Sequence, residues 1–253
     1  MIHTRIFVYL EMRVKALSCA LLVGLFATLP GWVSAVDEHI PDFRTSYLIE
    51  KASVGVVRLT ISLKRGEEKI EYRSKAEPIG IASWFYGDYG INTYSILQQI
   101  EPKVIPLEYR SIHTGSEENR NEHYRYDWKR NLVYVDYRGE QKTLRIPNGT
   151  LDTFSLQLAL MQNADKGTKK INYSVISRGK LKTYTCTNLG REAIETPLGR
   201  FEAVVLERRP NDEKSTTYTT WHAPRLHYLP VKIENRENGN VVLSLLLEEV
   251  EWR

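Results

Sequence analysis

Period-two alternation of apolar and polar residues, cut at short intervals by polar turns, limits this chain more than any other feature. From Val54 to Leu63, Val57, Leu59, Ile61 and Leu63 share one side while Arg58, Thr60 and Ser62 share the other, the pattern of a half-buried strand. The same signature marks Lys69–Ala76, Ile91–Ile100, Ile105–Ile112, His123–Trp128, Leu132–Tyr137 and Lys142–Ile146. After one interruption it resumes in Ile171–Ser177, Lys180–Cys186, Arg191–Thr196, Arg200–Arg208, Ser215–Trp221, Pro230–Asn235 and Asn240–Val250. These runs are rich in Tyr, Val, Ile and Thr, which suit a pleated surface. The connections between them, such as Lys64–Glu67, Tyr137–Glu140, Ser177–Lys180 and Glu237–Asn240, are short and carry a glycine able to adopt positive φ. A parallel return needs a dozen or more residues, so neighbours in sequence are expected to pair antiparallel, as a meander.

The interruption predicts the principal helix, over 152–163. Asp152 can cap its N-terminus, and Thr153–Met161 follows without Gly or Pro. Leu151, Phe154, Leu158 and Met161 form a stripe that would pack across one face of the sheet. Ile79–Tyr86 reads either as a further helical turn or as an irregular apolar loop. Glu195–Phe201 reads as a hairpin in which Pro197 presets φ, Gly199 relieves a left-handed position, and Ile194 faces Phe201.

The N-terminal segment has the order of a secretory signal: Arg13 and Lys15, an apolar run over Ala16–Leu29, then the small-residue site Val33-Ser34-Ala35. Cleavage after Ala35 is expected, leaving a single domain over 36–253. A start at Met12 would give a signal of ordinary length, which makes residues 1–11 open to reading as a misassigned start. A bilayer span needs about 20 apolar residues, and this run is shorter and interrupted, so no transmembrane span is expected in the mature chain. Cys19 precedes the apolar run, the wrong order for lipidation. Export implies a periplasmic location.

Removing residues 1–35 leaves 32 basic against 30 acidic side chains, interleaved along the chain. Such a balance points away from nucleic acid. Cys186 alone survives processing, so no internal disulfide can form, and at an alternating position beside Tyr184 it reads as a buried, inert thiol. The sequence holds no nucleophile elbow, phosphate loop or paired-cysteine pattern, no cofactor is implied, and catalysis is not expected, although a hydrolase is the third reading. His222 and His227 are close enough for a turn to join them but lack a third ligand, and they read as surface or loop histidines.

Four landmarks occur in order behind the signal segment: Leu151-Asp152-Thr153-Phe154-Ser155, Gly190–Ala203 with its Thr196-Pro197-Leu198-Gly199-Arg200-Phe201 core, Trp221-His222-Ala223-Pro224, and Tyr228–Ile233. In these the chain resembles the DUF3108 family of exported bacterial proteins of unknown function, over about residues 45–250. The resemblance implies a mainly β fold, one curved antiparallel sheet forming a half-barrel or open barrel around one principal helix, similar to the lipoprotein carriers of the Gram-negative periplasm. It implies no catalytic residues.

Aromatic residues carry the functional expectation. Tyr124, Tyr126 and Trp128 share strand parity, and Trp84-Phe85-Tyr86 sits in an irregular segment beside Gly87. A groove for a lipid or other apolar ligand, bordered by Trp84, Phe85, Trp128, Phe154 and Trp221, is one reading. A solid-cored module that contacts envelope proteins is the other. If the signal is processed as expected, N-terminal sequencing of protein recovered from the periplasm begins at Val36, whereas an intact N-terminus in the membrane fraction contradicts cleavage.

Overall fold

Among the described residues, fourteen strands account for the alternation, accompanied by two α-helices and one short 3-10 turn. In the computed structural model, which describes residues 40–51, 54–100, 103–116, 118–212 and 216–253, the strands are β1 (Phe43–Lys51), β2 (Val54–Arg65), β3 (Ile70–Pro78), β4 (Gly90–Ile100), β5 (Lys103–Thr114), β6 (Glu122–Asp127), β7 (Leu132–Tyr137) and β8 (Glu140–Arg145). They continue as β9 (Lys170–Ser177), β10 (Lys180–Thr196), β11 (Gly199–Pro210), β12 (Thr216–Ala223), β13 (Leu229–Glu237) and β14 (Asn240–Trp252). The helices are α1 (Ala82–Tyr86) and α2 (Thr153–Asn163). The expected signal segment and its cleavage site lie outside the described residues.

All the strands join one antiparallel sheet in the order β8-β7-β6-β5-β4-β3-β2-β1-β14-β13-β12-β11-β10-β9. Short turns make each half a meander, as expected, and the halves are joined where β1 pairs with β14, from Phe43↔Trp252 to Glu50↔Ser244. The two edges, β8 and β9, are therefore consecutive in the chain, and the segment between them carries α2.

Two strand expectations need correction. β1 was not anticipated: Phe43, Thr45, Tyr47 and Ile49 do alternate, but a buried Thr45, whose Oγ1 donates to the Glu249 carbonyl at 2.6 Å, hides the pattern. Lys180–Cys186 and Arg191–Thr196 are one strand, β10, because the break between them is a bulge at Asn188/Gly190 rather than a turn. Gly190 there has φ +102°, and the Asn188 side chain accepts from its N–H at 2.8 Å. The hairpin at 196–199 pairs Ile194 directly with Phe201.

Helix α2 begins where expected. Asp152 Oδ1 accepts from Phe154 N and Ser155 N, both at 2.8 Å, and Ser155 Oγ accepts from Asp152 N at 2.8 Å, completing a capping box. The one-sided stripe is a correction, since α2 is buried on both sides. Leu158 and Met161 pack with Phe43, Tyr47, Leu63 and Tyr72, while Leu156, Ala159 and Leu160 pack with Val175, Cys186, Val204 and Leu206. A helix on an open sheet needs one apolar stripe, but one wrapped by a curled sheet meets a wall on each side.

The curled sheet is drawn together by a contact that is not a strand ladder. The β9–β10 turn docks on β6 and β7: Gly179 N donates to Tyr124 Oη at 3.0 Å, Arg178 N donates to Glu122 Oε2 at 3.2 Å, and the Tyr124 hydroxyl also donates to Glu122. Gly179 has φ +68°, and a Cβ there would lie 2.8 Å from the Tyr137 Cβ, so only glycine fits. Burial lifts the Glu122 carboxyl to about 7, against a lowering influence from Arg178. A carboxyl raised in the folded state favours folding while protonated, so its contribution is full below about 4.5 and is lost as pH rises through 7. Relative to Glu122→Gln, the wild type should lose at most about 3 kcal/mol of unfolding free energy between those limits. Urea titrations of both proteins across that pH range check this, and parallel profiles contradict it.

Candidate ligand groove

A groove of about 580 Å³ runs beside the C-terminal half of α2. One wall is the start of β5, Val104, Ile105 and Pro106; another is Leu151 and Ala159 of the helical segment; Trp128 and Tyr173 complete the apolar lining. Trp128 is held in place twice. Its ring stacks on Tyr126 with centroids 5.5 Å apart, and its Nε1 donates to the Pro106 carbonyl at 2.7 Å. Tyr173 is oriented by Asn163, whose Nδ2 reaches its hydroxyl at 3.4 Å, and burial pushes that phenol up to about 12. Asn163 also donates to the Ala159 carbonyl at 2.7 Å. The exposed Lys103 and Lys166 complete the polar part of the lining together with amide side chains.

Of the five aromatic residues expected to border a groove, Trp128 lines this one, and the described side chains of Trp84, Phe154 and Trp221 do not. Trp84 lies in α1, 86% exposed, in the connection that enters β4 at Gly90, whereas the groove begins where Ile100 pairs with Lys103 at the other end of β4. Eleven residues of strand separate the two positions by about 35 Å. The Phe85 side chain lies outside the described residues. Phe154 is committed to packing, with its ring 4.8 Å from Tyr72 and 6.1 Å from Tyr109. Trp221 is 6% exposed, covered by Lys232 Nζ at 4.6 Å from its ring and donating Nε1 to Glu192 at 2.9 Å. Sequence parity grouped Tyr124, Tyr126 and Trp128 correctly, and all three join the cluster around Val133 and Ile176. Tyr173 was missed as a wall residue, although its place in an alternating run was visible.

The interior polar groups are held by the fold. Asp152 is fully buried and accepts from Ser95 Oγ at 2.7 Å besides its two backbone donors; burial raises its carboxyl. His222 is a correction to the surface reading: it is fully buried, with Nδ1 against the Tyr228 carbonyl and Nε2 against Thr220 Oγ1, both at 2.8 Å, and burial lowers the imidazole to about 4. With both nitrogens engaged it cannot join His227, whose ring packs on Trp252. Among the described residues no group of three His, Cys, Asp or Glu side chains is arranged to hold a metal.

The sequence profile described as "Protein of unknown function (DUF3108)" matches residues 42–245. The chain belongs to the DUF3108 family. Among curated proteins none matches it. In fold, this DUF3108 protein is similar to a beta-barrel-like protein of the domain of unknown function DUF1849 from Brucella abortus, with a TM-score of 0.57 over 85% of this chain and 99% of that one. At 8% identity the likeness is one of architecture. No helix among the described residues is long and apolar enough to cross a membrane.

Cys186 is a free, buried cysteine outside the groove lining. It is buried beside Tyr184, and burial pushes its thiol up to about 11, so little thiolate exists at neutral pH. A maleimide or disulfide reagent should therefore label native protein at neutral pH only as fast as it unfolds. Labelling at the rate of a free peptide thiol contradicts this environment.

Proposed function

We propose that this DUF3108 protein is a non-catalytic component of the cell envelope, exported to the periplasm, that holds an acyl chain or similar apolar ligand in the groove beside α2. The observation that carries the reading is the groove itself. Its volume of about 580 Å³ falls within the range of about 300–1,000 Å³ typical of ligand sites. Among the described residues its lining is apolar with amides and two lysines and includes no carboxylate, thiol or imidazole, a composition suited to binding. Each methylene buried there contributes about 0.8 kcal/mol, so a chain of eight offsets the ordering of a few side chains. The periplasmic location rests on the order of basic, apolar and small residues in 13–35.

A second reading, a module that contacts envelope proteins, is favoured by the exposed apolar side chains of Ile81, just before α1, and Trp84 on α1. The experiment that separates the two is lipid mass spectrometry on gently purified protein, followed by titration with a fluorescent fatty-acid analogue. A stoichiometric lipid, saturable binding, and loss of binding in Gln162→Trp, which places a large ring in the groove from a half-buried helix position, support the ligand reading. A lipid-free protein with no saturable binding leaves the interaction module.

A further inference from the structure

Across four adjacent strands, Cys186, Arg208, Tyr218 and Asn235 stand directly opposite one another in register. They share the helix-facing side of the sheet. Leu206, two residues from Arg208 and so on the same face, packs with Leu156 and Leu160 of α2. Arg208 is thus a guanidinium on the inner wall, half-buried rather than sealed. Its charge centre lies 4.6 Å from the Tyr218 ring and 5.9 Å from the Tyr184 ring.

Two polar atoms on this row have no partner. Arg208 Nε and, one residue beyond Tyr218 along the row, Asn235 Oδ1 are both buried without a hydrogen bond. Among the described residues no ion pair includes Arg208; its neighbour Arg209, on the other face, pairs with Glu207 at 2.9 Å. Leaving a charged donor buried and unpaired is unfavourable, and the ring faces of two tyrosines compensate only part of that. The Asn235 amide can turn either its oxygen or its nitrogen to a ligand, since the two are nearly the same shape.

We propose that Arg208, flanked by Tyr184 and Tyr218 and assisted by Asn235, is a binding site for an anionic oxyacid group, a carboxylate or a phosphate, on the inner wall of the sheet. The guanidinium presents a planar fork that matches two oxygens of such a group, a geometry that a lysine cannot supply. The rings of Tyr184 and Tyr218, on the two neighbouring strands, offer their faces to the guanidinium. Both nitrogens of the nearby His222 are engaged by the protein, so the imidazole does not compete for the anion. The positive charge is felt by the surrounding wall, lowering the titration of His222, Cys186 and Tyr184 relative to burial alone. This site uses none of the groove-lining residues, so it stands or falls independently of the apolar ligand.

The test is isothermal titration calorimetry of the mature protein with four probes: inorganic phosphate, acetate, dodecyl phosphate and dodecanoate, the last two below micelle-forming concentrations. The wild type and Arg209→Gln should bind alike, and Arg208→Gln should bind about tenfold or more weakly, as expected for loss of a charge-assisted pair. Saturable binding of phosphate or acetate with this sensitivity identifies a free anion as the natural source. The same sensitivity confined to the dodecyl probes identifies the headgroup of an amphiphile. Should Arg208→Gln lose its native circular dichroism, Arg208→Lys keeps the charge without the fork and should bind several-fold more weakly. Absence of binding by all four probes in the wild type, or affinity unchanged in either Arg208 variant, overturns the proposal.

Discussion

The pairing of β1 with β14 is the interaction on which the rest of the molecule depends. Each half of the chain is a meander that short turns could form alone, but neither half by itself encloses α2. The ladder from Phe43↔Trp252 to Glu50↔Ser244 fuses them, and side chains lock its register: Thr45 Oγ1 to the Glu249 carbonyl, Tyr47 Oη to the Pro230 carbonyl at 2.7 Å, and Arg58 with Glu248 at 3.0 Å. Residues some two hundred positions apart must meet for this, so the loop-closure entropy is incurred before the interior can be buried.

Once the halves are joined, α2 becomes a plug rather than a cover. Its two sides belong to different packing groups, one that spans both halves through β1–β5 and β11–β14 and one with β9–β11, so it links the halves a second time through the interior. Asp152 anchors this arrangement. A carboxylate buried without a cation would be costly, but two backbone donors of the helix and the Ser95 hydroxyl of β4 satisfy it. The cap that starts the helix therefore also ties it to the sheet wall.

The sheet does not close by strand pairing, and this leaves room for function. The edges β8 and β9 are bridged by the helical segment and by the docking of Gly179 on Tyr124, a contact made of two side chains and a turn. Where the start of β5, Trp128 and Tyr173 approach the far end of α2, the walls do not meet, and the groove results. Arg208 lies on another part of the inner wall, beside the ring faces of Tyr184 and Tyr218.

Local chemistry alone determined most of the strands, the antiparallel pairing of sequence neighbours and the start of α2. Alternation reports one buried face, glycine-bearing turns force adjacent strands together, and Asp152 followed by Thr153–Met161 signals a capped helix whatever surrounds it. It also determined that Cys186 would be buried, because parity placed it with Tyr184. The tertiary structure decided everything that depends on curvature and on distant partners. β1 needs β14 to be recognisable, the second buried side of α2 needs the wall of β9–β11, and His222 is interior because Tyr228 and Thr220 close over it. The aromatic residues separate for the same reason. Parity assigns a ring to a face but not to a position along the strand, so Trp84 and Trp128, grouped by type in the sequence, stand at opposite ends of β4, and Trp221 is consumed by Glu192 and Lys232. Period-two alternation encodes which side of a sheet a residue meets; how far the sheet curls, and hence which residues meet across it, is set by the sum of twist, bulges and packing over the whole chain.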